Sequence, residues 1–182
     1  MVDRAGTKTG SIPVPRNRRG RRRKASNSVN RLATTLRVHF DASIRRGVAH
    51  YGWIVTAKTK AAGKRVVKMR RGALGQRDSI LMAEYDSLIR CLRWIHGNRG
   101  CDLLIIHGDN LSVIQQLNGR VKPKQSKYAK RMAEAKRMLG LCADRYRLVW
   151  VPRRQNQVAD KLAGMRSEER SWRGDGLTRR IR

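Results

Sequence analysis

Aromatic residues are scarce: Phe, Trp and Tyr make up 5% of the 182 residues, with Phe40 the single phenylalanine. Stacking on splayed bases is therefore a weak candidate for any nucleic-acid binding mode. Trp53 and Trp150 fall inside strand-like runs and are expected in the core. Cysteine is equally sparse, and Cys91, Cys101 and Cys142 are odd in number, scattered and without a CxxC pair. That pattern suggests neither a disulfide framework nor a zinc ribbon, and a reducing compartment is the default. No stretch approaches the roughly 18 uninterrupted apolar residues of a membrane span. The first residues also lack the apolar segment of a secretory leader. We therefore expect no membrane partner and a cytoplasmic, nucleic-acid-associated protein, with an organellar transit segment as the alternative use of the Arg-rich start.

Acids are few beside the bases, at 13 Asp and Glu against 43 Lys and Arg, for a formal charge of +30. Such an excess favours a polyanion through counterion release, and nucleic acid is the first candidate. Residues 1–33 read as a disordered basic arm: NRRGRRRK is a charge run flanked by Gly, Pro and Ser, with too few apolar residues for a core. The arm holds ten Lys and Arg and one acid, and taking that +9 from +30 leaves +21 on the remainder. Residues 34–165 should thus form one domain that is basic in its own right, followed by a basic tail over 166–182.

Within that domain LRVHFDASIRRG alternates apolar and polar residues with the period of a half-buried strand. Similar runs follow at 50–57 and 65–72 after short Gly-containing intervals, which predicts an antiparallel meander. Leu81, Leu88, Leu92 and Ile95 recur at helical spacing from about Ser79 to His96, with Gly97 as a stop. DLLIIHGD at 102–109 reads as a buried strand, 110–119 as a short helix, 127–142 as a longer one, 145–152 as a fifth strand and 156–164 as a last helix. The order βββαβααβα argues an α/β fold, a five-stranded mixed sheet flanked by helices.

Four acids sit where packing would not choose them. Asp41 ends the polar face of the first strand, Asp109 follows the most apolar strand, Glu84 shares the stripe of Leu81 and Leu88, and Asp160 opens an amphipathic helix. Alone, each has an ordinary explanation as a cap or turn residue. Together they would repel one another at one sheet edge unless a divalent cation joined them, and hard carboxylate oxygens are what Mg2+ takes. His39 and His107 each lie two residues before one of these acids and are expected to support or pack rather than ligate.

FDAS at 40–43, AEYDSLIRCL at 83–92, HGDNLSVIQQLNG at 107–119 and VPRRQNQVADKLAG at 151–164 resemble, in order, the four blocks of type 1 ribonuclease H, closest to its short archaeal-like and plant-like branch. The resemblance implies a ribonuclease H-like fold with the first and fourth strands adjacent at the sheet centre. It implies that Asp41, Glu84, Asp109 and Asp160 are catalytic ligands of two Mg2+ or Mn2+ ions, and that the RNA strand of an RNA–DNA hybrid is hydrolysed. By the same resemblance Ser43, Asn110 and Asn156 are candidates for substrate contact. The loop before the last helix departs from longer members: it has Arg153 and Arg154 and no His, so either an Arg near substrate or product takes over the step that the His serves or the step is slower. Lys122, Lys124, Lys127 and Lys130 are candidates for DNA-strand phosphates, with recognition resting on phosphates, duplex shape and the 2′-hydroxyl. A monomer is expected, with the arm binding other nucleic acids. The rival functions are a junction-resolving nuclease of the same superfamily and a non-catalytic ribonucleoprotein component that uses the charge alone.

Overall fold

The structure is a computed structural model that describes residues 35–59, 63–98 and 101–165. The expected arm over 1–33 and tail over 166–182 lie outside the described residues. Three strands open the domain: β1 (Thr35–Arg45), β2 (Val48–Thr59) and β3 (Gly63–Gln76). They form an antiparallel meander, turning first at Arg46 and Gly47, which both adopt positive φ. Helix α1 (Ile80–Asn98) leads to β4 (Cys101–Gly108), α2 (Leu111–Leu117), α3 (Ser126–Cys142) and β5 (Ala143–Trp150). A 3-10 turn at Arg153–Gln155 precedes α4 (Gln157–Gly164). Among the described residues no helix is long and apolar enough to cross a membrane.

The sheet order is β3-β2-β1-β4-β5, with β4 parallel to both β1 and β5. β1 is therefore the central strand, antiparallel to β2 on one side and parallel to β4 on the other. The strands run longer than the alternation alone predicts. β3 extends beyond 65–72 because its pairing with β2 continues through two irregularities. β5 ends at Trp150, where the Val151 amide bonds the Gly108 carbonyl and Pro152 stops the ladder.

Two faces result from the strand period. Leu36, Val38, Phe40, Leu104 and Ile106 point one way and are buried with Leu88, Leu92 and Ile95 of α1 and Leu139 of α3. α4 packs on the opposite face, against β1 and β2. A Cβ at Gly52 would lie 2.5 Å from the Ala159 carbonyl oxygen and 2.6 Å from the Leu162 Cβ, so α4 approaches β2 as closely as only glycine allows. Under α1, buried Asp86 is held by Arg77 and Arg131, each at 3.1 Å. Arg131 continues to Glu134 and on to Arg93, so this acid is paired in a structural ion network. Trp53 is buried against Trp94 as expected, but Trp150 is 47% exposed. It ends β5, beyond the reach of the helices, and its Nε1 donates to the Asp109 carbonyl at 3.0 Å.

Candidate metal centre

The candidate centre lies where β1 and β4 part. Their last paired residues are His39 and His107, and each chain then continues for two residues to an acid, Asp41 or Asp109. α1 enters from the other side of the gap with Glu84 in its second turn. Carboxylate oxygens of Asp41, Glu84 and Asp109 lie within 4.8 Å of one another. Asp41 and Glu84 are 5% and 4% exposed.

Such crowding is costly for charge. Burial first, then the charge of Asp109 and, less strongly, of Asp160, push the Asp41 carboxyl up to about 7 from its ordinary 3.8. Glu84 is raised well above the usual carboxylate range by burial and by Asp41 and Asp109. The Glu84 Oε2 atom is buried with no hydrogen-bond partner. A buried carboxyl oxygen without a hydrogen-bond partner, beside two further carboxylates, fits a hard divalent cation, which would favour the charged form and offset both the repulsion and the lost hydration.

Asp160 sits in the first turn of α4, outside this trio but near enough to add to the field on Asp41. Its Oδ1 accepts from the Arg153 guanidinium, whose charge is favoured by Asp160 foremost and also by Asp41 and Asp109. The fourth acid is thus paired with a cation supplied by the short loop, which also feels the charge of Asp41 and Asp109. Arg154 is exposed beside it.

Asn156 is buried at 1% exposure and ties the centre together. Its Nδ2 donates to the Phe40 carbonyl at 2.9 Å and to Asp109 Oδ1 at 3.0 Å, locking the ends of β1 and β4 to the loop before α4. The Asn156 Oδ1 has no partner of standard geometry, yet it lies close enough to His39 to favour the protonated ring. His39 and His107 stack on each other at 4.5 Å, and burial lowers both, His39 to about 4.

The other candidates are placed less uniformly. Ser43 donates to the Ala163 carbonyl at 2.6 Å, so its hydroxyl clamps α4 onto β1. Asn110 caps α2 by accepting from the Val113 amide and also reaches Glu84, favouring its charged form. Lys122 and Lys124 are exposed on the loop between α2 and α3, and Lys130 is exposed on α3. Lys127 pairs with Asp78 at 3.0 Å. Sequence reasoning missed the buried Tyr85–Gln116 hydrogen bond at 2.8 Å and the Asp86 network, because their partners lie 31 or more residues away except for Arg77. Gly52 carried a signal that went unread: a glycine inside a strand pattern marks close backbone approach.

Residues 39–166 match the family model described as reverse transcriptase-like. Among solved structures the chain is similar to ribonuclease H1 from the halophilic archaeon Halobacterium salinarum, at 26% identity and a TM-score of 0.63, over 71% of this chain and 95% of that one. The N-terminal ribonuclease H domain of Rv2228c from Mycobacterium tuberculosis gives the same identity and TM-score, over 71% of this chain and 96% of that one. LC11-RNase H1, solved in complex with an RNA/DNA hybrid, shares the fold at 18% identity and a TM-score of 0.61, over 70% of this chain and 92% of that one.

Proposed function

Since the chain belongs to the reverse transcriptase-like family and has the ribonuclease H fold, we propose that it hydrolyses the RNA strand of RNA–DNA hybrids with the help of two divalent ions, Mg2+ or Mn2+. The observation that carries this reading is the meeting of Asp41, Glu84 and Asp109 within 4.8 Å around a buried, partnerless Glu84 oxygen. A protein that only binds nucleic acid gains nothing from anionic repulsion at such a point.

Asp41, Glu84, Asp109 and Asp160 would hold the ions, which when bound supply an activated water and charge neutralisation at the leaving oxygen. The chain's own residues position and neutralise. Asn156 fixes Asp109 relative to β1, so that the two carboxylates that end the parallel strands keep their spacing. Ser43 and the glycine contact at Gly52 hold α4, and with it Asp160, at the same edge. Arg153 offers five N–H donors at the mouth of the site, a fork suited to a phosphate oxygen. Exposed Lys122, Lys124 and Lys130, with Lys127, serve the phosphates of the DNA strand.

The test is incubation with labelled RNA–DNA hybrid, double-stranded RNA and a four-way junction, with and without Mg2+. Metal-dependent cut of the RNA strand in the hybrid, lost in Asp41→Asn and Asp109→Asn, is the expected outcome. Cutting of the junction alone would make the protein a resolvase, and binding without any cut would make it a carrier of nucleic acid.

A further inference from the structure

The face of the sheet that carries α4 is covered by that helix near Gly52 and Ser43, but the strands continue well past it. Following the register away from Asp41, the first row on this face centres on the stacked His39 and His107. The second row holds Arg37 on β1 and Arg147 on β5, with Ile105 between them. The third holds Arg145 on β5 and Lys58 opposite Lys64 on β2 and β3. Lys58, Lys64, Arg145 and Arg147 are exposed. No Asp or Glu occurs in the three rows, and among the described residues α4 is the one helix on this side.

Like charges directly opposite across a ladder are destabilising, and Lys58 and Lys64 are such a pair. A face of five cations with no acid in its three rows among the described residues calls for an anion. Its layout says which. The cations stand on two flanks, Lys58 and Lys64 side by side in the third row and Arg145 and Arg147 one after the other along β5, separated by three or four strand spacings, about 14 to 19 Å. Between them lie Leu103 and Ile105, with Arg37 at the middle. A single strand offers one backbone, whereas a duplex offers two, bordering a major groove about 12 Å wide. The aromatic groups here are two histidines stacked on each other, not a platform for unpaired bases.

We propose that this face is a second docking surface, for a nucleic-acid duplex held by both its phosphate backbones. The Asn156 turn, anchored at Phe40 and Asp109, marks its border with the carboxylate centre. Two duplex segments can then be engaged at once, and a long duplex that reaches both surfaces gains from the effective concentration of the second.

The experiment uses the full chain in EDTA, so that cleavage plays no part and a failure of the catalytic reading leaves it unaffected. The salt dependence of binding to a 30-base-pair DNA duplex is compared between the parent and the variant Lys58→Gln, Lys64→Gln, Arg145→Gln, Arg147→Gln. Four lost phosphate contacts flatten the slope of log affinity against log salt by about 3.6. A slope changed by less than one contact, about 0.9, overturns the proposal. A single-stranded oligonucleotide should show little change, and a loss there equal to that on duplex overturns the two-backbone assignment. As a measurement that needs no variant, acylation of the parent's lysines should be slowed at Lys58 and Lys64 by the duplex. Unchanged labelling at both contradicts docking.

Discussion

Removing one carboxylate from the centre should make the metal-free protein more stable, and Asp41→Asn is the cleanest case. The carboxyl of Asp41 is raised from 3.8 to about 7 in the folded chain, chiefly by burial and by Asp109. An acid whose folded value is raised favours the folded state fully below its unfolded value, and that contribution is lost as pH rises through the folded value. The window is therefore about pH 4 to 7, with the full penalty above it. Roughly three pH units at 1.36 kcal/mol each give about 4 kcal/mol at pH 8, and less than half of that at pH 5. Asparagine keeps the shape and carries no such charge. Its melting temperature in EDTA at pH 8 should exceed the parent's by about 10 °C, taking about 2 to 4 °C per kcal/mol. Near pH 3.5 the two should coincide. Adding Mg2+ should raise the parent, by about 2.7 kcal/mol at a hundred times the dissociation constant, and leave the variant nearly unmoved. An asparagine variant no more stable than the parent at pH 8, or one whose advantage is as large at pH 3.5, refutes the crowding argument.

Gly52→Ala should displace α4, since its Cβ would meet backbone and side-chain atoms of that helix within 2.6 Å. The expected result is a stability loss of about 1–3 kcal/mol by denaturant titration, with cleavage reduced alongside it because Asp160 moves. Tyr85→Phe leaves the buried Gln116 carbonyl oxygen without its donor and should cost about 1–3 kcal/mol with turnover at saturating hybrid unchanged. Arg153→Ala should lower steady-state turnover more than affinity, and comparison of single-turnover with steady-state rates shows whether chemistry or product departure has slowed. A purely structural Arg153 would shift the melting temperature and spare the rate.

The order of the elements was legible from their periods, the adjacency of β1 and β4 came from the family resemblance, and three of the acids were legible because period and polarity disagree at their positions. Asp41 closes an alternating strand, Asp109 follows a continuous apolar one, and Glu84 interrupts a leucine stripe; a residue that breaks its local pattern reports on something outside it. Asp86 broke no pattern strongly enough to be noticed, although it is as buried as Asp41. What separates the two is the pairing with Arg131, 45 residues later, which no local window contains. Trp150 fails for the opposite reason. A strand pattern gives the face a side chain takes but not where the covering helices stop, and Trp150 lies past that limit. Family resemblance offered Asn156 only as a substrate contact, and its tie to Phe40 and Asp109 was not legible, since a single Asn before a helix reads as an ordinary cap.

The central place of β1 has a consequence for the order of synthesis. Its antiparallel partner follows within a few residues, but its parallel partner, which leads into Asp109, comes only after α1, and the acid in α4 arrives 119 positions after Asp41. At about 5–20 residues per second, a ribosome needs roughly 6 to 24 s to travel from the first acid to the last. Until β4 is made the meander can close while the edge where β4 will add stays open, and until Asp160 is made the nascent chain lacks a complete set of acids while it is still tethered to its own message.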